Sequence, residues 1–125
     1  MDEEKITEWA NAYIQAELTH GLNADHPQWW AVEKFMGIGS GDTNAQDSMK
    51  AILVILNLEP PDKVIAVLAA GPLEDLIENC GEEVIDQIEL LARQNPKFRH
   101  LLGGVWECGT PDIWTRVTVC RGEAW

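Results

Sequence analysis

The sequence predicts an all-α protein, with seven or eight short helices in a single domain over residues 1–125, packed as an irregular bundle or a right-handed α-α superhelix. Three observations carry this expectation. Apolar residues recur at three- and four-residue spacing, glycine, proline and capping residues punctuate the chain at short intervals, and no segment alternates apolar and polar residues long enough for a half-buried strand.

The first helix is expected over Glu3 to His20, where Ile6, Trp9, Ala10, Tyr13, Ile14 and Leu18 share one face and Gly21 ends it. A second short helix begins at Pro27, whose fixed φ suits a first helical position, and runs to Met36 before Gly37. Gly37-Ile38-Gly39-Ser40-Gly41-Asp42-Thr43 reads as a flexible linker into a helix from about Asn44 to Leu58, capped by Asp42 or Thr43. Met49, Ile52, Leu53, Ile55 and Leu56 form its apolar face. Pro60-Pro61 forces a break, and Asp62 to Ala70 resumes a helix that is apolar nearly all round and is therefore expected to be central.

Gly71-Pro72 is expected to end that helix and open another over Leu73 to Cys80, with Gly81 separating it from Glu82 to Gln94. Asn95-Pro96 opens Lys97 to Leu102, Gly103-Gly104 closes it, and Thr110 caps a final helix from Pro111 to about Cys120. The β-branched run Val117-Thr118-Val119 makes the end of that helix its weakest part.

Charge bounds the function. Twenty-one acidic against nine basic side chains give a formal charge of −12, which repels nucleic-acid phosphates and anionic lipid headgroups and favours a partner protein with a basic surface. The longest apolar run, Ala51 to Leu56, is far shorter than the roughly 20 residues that cross a bilayer. Met1-Asp2-Glu3-Glu4 has no signal-peptide character, and Cys80, Cys108 and Cys120 are odd in number and widely spaced, so a cytoplasmic setting is expected.

The most distinctive feature is a run of seven acids, Glu74, Asp75, Glu78, Glu82, Glu83, Asp86 and Glu89, with no basic residue between them. It reads either as an anionic face for a cationic partner or as helix architecture, since acids in a first turn gain about 0.3–1 kcal/mol each from the helix dipole. Trp29 and Trp30, adjacent on a helix, diverge by about 100°, so one of them is a candidate exposed anchor. Trp9 and Trp114 suit core positions. His20, His26 and His100 lack metalloprotease spacing, no phosphate-loop lysine follows the glycines, and no nucleophile elbow is present, so no catalytic residue or cofactor is expected. A zinc site from Cys80, His100 and Cys108 is conceivable but has no ligand-spacing motif behind it.

Ala69-Ala70-Gly71-Pro72-Leu73-Glu74-Asp75-Leu76, then Asn95-Pro96-x-Phe98-Arg99, Gly103-Gly104-Val105-Trp106 and Trp114-x-Arg116-Val117 resemble a family of small bacterial proteins that constitutes a domain of unknown function. The likeness runs from about Asp62 to Val117, with Asn95 where that family usually carries aspartate. It implies a helical fold, and it maps characteristic polar positions onto Glu74, Asp75, Arg99 and Arg116. Those four either form a mutual salt-bridge network, whose buried members would cost about 3–5 kcal/mol to truncate, or Arg99 and Arg116 line a pocket with Trp106.

The function expected from these features is protein binding, as an acidic immunity or inhibitor protein for a basic toxin or nuclease. A small-molecule site or unrecognised enzyme built on Glu74, Asp75, Arg99, Trp106 and Arg116 is one alternative, and a structural homodimer subunit is another.

Overall fold

A computed structural model describes residues 1–19 and 25–125, and the expected stop at His20-Gly21 lies outside them. The described residues are all-α, without strands: α1 (Glu3–Leu18), α2 (Trp29–Met36), α3 (Ala45–Asn57), α4 (Asp62–Leu68), a π-helical turn (Ala69–Leu73), α5 (Glu74–Gln94), α6 (Pro96–Leu102) and α7 (Pro111–Cys120). Because α4, the π turn and α5 follow one another without a gap, these segments make six separate rods.

Local capping explains most helix starts. The Asp2 side chain accepts the Lys5 N–H at 2.9 Å, and Thr110 accepts that of Ile113 at 3.3 Å. Asn95 accepts two amides, from Lys97 at 3.0 Å and Phe98 at 3.2 Å, with Pro96 behind it. Helix α3 departs from expectation: its cap is Asn44, which accepts the Asp47 N–H at 2.8 Å, because the Thr43 hydroxyl is already committed to the Lys34 carbonyl at 2.6 Å. That bond, with Thr43 N–H donating to Gly37 and Ile38 buried, turns the expected flexible linker into a tied corner. Helix α2 starts two residues later than expected, at Trp29 behind Gln28, which leaves Pro27 outside it.

The expected break at Gly71-Pro72 is absent. Gly71 is not left-handed, and Pro72 is buried inside the π turn. A proline in an α-helix loses one hydrogen bond and collides with the carbonyl four residues back; a wider π turn gives the ring room, so the helix continues. The expected junction at Gly81 is met one residue earlier, where α5 joins two helical stretches across a kink. The kink falls at Cys80 (φ −134°, ψ 24°), while Gly81 is buried where α7 crosses α5, and a Cβ there would sit 3.1 Å from Ile113 Cγ2.

The odd-numbered helices form a connected layer, α1 against α3, α3 against α5, and α5 against α7, with α2 on α1 and α6 on α5. Contacts that skip a helix in sequence make this the irregular bundle rather than a superhelix of sequential neighbours. The centre is α3, which buries Met49, Ile52, Ile55 and Leu56 on the expected face. Helix α4 is peripheral instead, since it buries only Val64 and Leu68 and leaves Val67 exposed. Trp9 fixes α1 to α2, its indole N–H donating to the Ala31 carbonyl at 2.9 Å and its ring 4.4 Å from that of Phe35.

After α7 the chain returns to α6. The Trp125 amide donates to the Gly103 carbonyl at 3.0 Å, its indole N–H to the His100 carbonyl at 2.7 Å, and its ring stacks on His100 at 5.2 Å. Gly103 and Gly104 permit this contact, because a Cβ on Gly104 would lie 2.5 Å from the Trp125 ring and 2.9 Å from Ala69 Cβ.

Two stability measurements follow from these contacts. Asn95→Ala should cost about 1 kcal/mol in chemical denaturation, the value of one side-chain cap. Gly104→Ala should cost about 1–3 kcal/mol from overpacking. The Gly104→Ala penalty should shrink, without vanishing, in a Trp125→Ala background, because Ala69 still opposes the added methyl group.

Candidate functional site

The kink at Cys80 and the start of α7 frame an acidic cleft of about 360 Å³, lined by Ile77, Glu78, Glu82, Glu83, Gly109 and Ile113 among others. Gly81 sets how closely α7 approaches, and the loop before α7 is pinned to α5 by a hydrogen bond of 2.5 Å from the Gly109 amide to Glu78. This pin carries Cys108 into the field of Glu74, Glu78 and Asp75, which together with its burial pushes the thiol up to about 12. Burial and then Glu83 raise Cys80 as well. Both thiols stay protonated at neutral pH and are poor nucleophiles.

Glu74 and Asp75 are half-buried, and both titrate above the ordinary carboxylate range. Burial is the leading cause at each; at Glu74 the charges of Asp75 and Glu78 add to it. This decides against the helix-dipole account. An acid facing free amides at a helix start is stabilised in its charged form. Here the Glu74 N–H already donates to the Gly71 carbonyl, since the helix arrives through the π turn rather than beginning there. None of Glu74, Asp75, Glu78, Glu82 and Glu83 forms an ion pair with a described residue, and residues 71–92 contain no lysine or arginine.

The last two acids of the run are arranged differently. Arg116 on α7 forks Glu89, Nε to Oε2 at 3.1 Å and Nη2 to Oε1 at 2.5 Å, and reaches Asp86 at 2.6 Å. The hydrogen bond from Arg116 holds Glu89 below the usual carboxylate range, and Glu89 and Asp86 raise Arg116. So the seven acids are not one face. Five are uncompensated, and two join α5 to α7.

The expected network among Glu74, Asp75, Arg99 and Arg116 does not form: Arg116 takes Asp86 and Glu89 instead, and Arg99 lies against Gly122 with no ion pair among the described residues. The Arg116 side chain is 41% exposed, so its pairs are not the buried kind whose truncation costs several kcal/mol. The two clefts that Arg99 lines include neither Arg116 nor Trp106, so the three do not share a pocket there. Trp106 is 74% exposed.

Of the adjacent tryptophans, Trp30 is the exposed one and Trp29 is half-buried, with the Trp30 indole donating to Gln28 at 3.1 Å. Trp114 is half-buried rather than in the core, with Arg121 over its ring at 5.4 Å. His100 stacks on Trp125, away from the α5 kink, and no group of three metal-ligating side chains occurs among the described residues. Cys108 is the member of the acidic cluster that sequence reasoning missed. Its position near Glu78 depends on the Gly109 hydrogen bond, which spans 31 residues of sequence, and no local spacing signals it.

The model of one family, described as a family of unknown function (DUF6869), matches residues 18–125. The match begins well before Asp62 and takes in all of α2 and α3 and the acidic cleft. No curated protein and no solved structure matches the chain.

Because Glu74 is held above the ordinary glutamate value of 4.5 in the folded chain, its contribution to stability is present below that pH and is lost as pH rises through the folded value. Glu74→Gln should therefore raise the melting temperature at pH 7, and the gain should close as the pH is brought down to about 4. Melting curves across that range check this; a loss of stability in the variant at pH 7 contradicts it.

Proposed function

We propose that this chain, which belongs to the family of unknown function DUF6869, is a protein-binding module whose acidic cleft captures a basic partner. The partner class we favour is a basic toxin or nuclease, with the chain acting as its immunity or inhibitor protein in the cytoplasm.

One observation carries the reading. Glu74, Asp75 and Glu78 act on Cys108 with no cation among the described residues paired to them, Glu78 having only the Gly109 N–H ahead of α7, and Glu82 and Glu83 extend the charge onto the exposed wall of the cleft. Such a cluster is a cost to the isolated fold. A guanidinium or ammonium entering the cleft would offset it, and this difference between free and bound states is what makes a surface selective for a cationic partner.

The net charge of −12 supports the same direction over longer range by steering basic proteins toward the surface. Three free cysteines accord with a reducing compartment. The rival pocket of Glu74, Asp75, Arg99, Trp106 and Arg116 has no supporting geometry, since Arg116 is engaged at the other end of α5.

Titration with an arginine-rich peptide tests the proposal. Affinity should fall as salt is raised, because pairing at an open cleft is screened over about 8–10 Å. Glu78→Gln, Glu82→Gln and Glu83→Gln should each weaken binding by about two- to fivefold, the worth of an exposed ion pair, whereas Glu3→Gln on α1 should not. Equal losses at all four positions, or no salt-dependent binding, would overturn it.

A further inference from the structure

The arginines of the chain gather at the far end of α5. All four arginines of the chain, Arg93, Arg99, Arg116 and Arg121, fall in the segments that meet there, in a protein with only nine basic residues. Arg93 and Arg99 line a second cleft, of about 380 Å³, together with Glu89, Ala92, Val119 and Cys120. The one carboxylate in that lining, Glu89, is forked by Arg116 through both oxygens, and Arg116 also takes Asp86. Arg121, next to Cys120, is laid over the Trp114 ring.

Two guanidiniums are left. Arg93 Nε donates to the Glu89 main-chain carbonyl at 3.4 Å, which holds its stem along α5, and its terminal nitrogens have no partner among the described residues. Arg99 runs beside Gly122, its Nε 3.5 Å from where a Cβ would stand, so the missing side chain gives it room. Neither forms an ion pair within the described chain. Arginine, unlike lysine, offers planar paired donors that match a phosphate or carboxylate two bonds at a time. Although the whole protein repels anions, the charges within a Debye length of the cleft dominate at physiological salt.

We propose that this cleft binds an oxyanion, the phosphate or carboxylate group of a small metabolite, between Arg93 and Arg99. The site stands apart from the acidic cleft and survives or fails independently of it.

Inorganic phosphate and succinate, each against chloride at matched ionic strength, supply the probes, with two readouts. The first is the melting temperature, and the second is the rate of iodoacetamide alkylation at Cys120, followed by peptide mass mapping because Cys120 lines the cleft. Saturable stabilisation and slowed Cys120 alkylation at the same half-saturation are expected with at least one probe. Phosphate alone assigns the site to a phosphorylated ligand, succinate alone to a carboxylate, and either result supports it. Arg93→Gln and Arg99→Gln, exposed changes that leave the helical circular dichroism intact, should each weaken the effect by about tenfold, as expected for charged hydrogen bonds, while Lys50→Gln on α3 leaves it unchanged. No saturation by either anion beyond chloride, or the same saturation in both arginine variants, overturns the proposal.

Discussion

The passage of the helix through Pro72 is the constraint on which the rest of the molecule depends. A proline inside an α-helix would ordinarily end or kink it at a cost of about 3 kcal/mol. Here the π turn over Ala69–Leu73 widens the spiral where the ring enters, and Ala69, Pro72 and Leu73 are all buried by their surroundings. Helix α4 therefore leads directly into α5, whose direction sets where α6 and α7 can pack. It also removes the free helix end at Glu74, which leaves the first acids of α5 without amides to stabilise them.

From this follows a rod with two electrostatic ends. Near the π turn and the kink, half-buried Glu74 and Asp75 and exposed Glu78 act on Cys108; burial raises the first two carboxyls, and at Glu74 the charges of Asp75 and Glu78 add to it. Toward Gln94, Arg116 closes on Asp86 and Glu89, and Arg93 and Arg99 stand beside the joint. The same residue types thus behave oppositely according to what crosses them. Glu89 is held low by a guanidinium, whereas Glu74 is held high by burial and then by the charges of Asp75 and Glu78. Helix α7 makes the difference, because it presents Arg116 at one end and only Gly109, Thr110 and Ile113 at the other.

What was legible in the sequence was whatever is decided within one turn of a helix. Asn95 and Thr110 announce their caps because an acceptor side chain and the amides two or three residues on need nothing else. The apolar face of α3 was legible for the same reason. Gly71-Pro72 misled about a break, and Gly81 marked a real kink at Cys80 while serving a different role, because both residue types have two uses. Glycine can take a left-handed stop or permit close approach, and proline can open a helix or be absorbed by a π turn; only the packing partner, Ile113 in the case of Gly81, decides. Asn44 displaced Thr43 as a cap because Thr43 was already bonded nine residues back, a competition that spacing does not record. The charge run was visible, but its division into five uncompensated acids and two paired ones depended on where α7 places Arg116, 27 residues beyond Glu89.

The tryptophans bring these strands together. Trp9 is buried and bonded, Trp30 is bonded to Gln28, Trp114 lies under Arg121 and Trp125 is stacked on His100. Trp106 differs, being 74% exposed with no hydrogen bond or ring contact among the described residues. It stands two residues before Cys108 on the loop that Glu78 pins, so its Cα lies within about 8 Å of that of Cys108. Beside uncompensated carboxylates it offers a cationic side chain both a counter-charge and an aromatic face, and a flat indole loses little conformational freedom when a partner covers it. On the proposed reading, the loop before α7 sets the exposed Trp106 indole on the segment that Glu78 pins to α5, a combination that suits a basic protein partner.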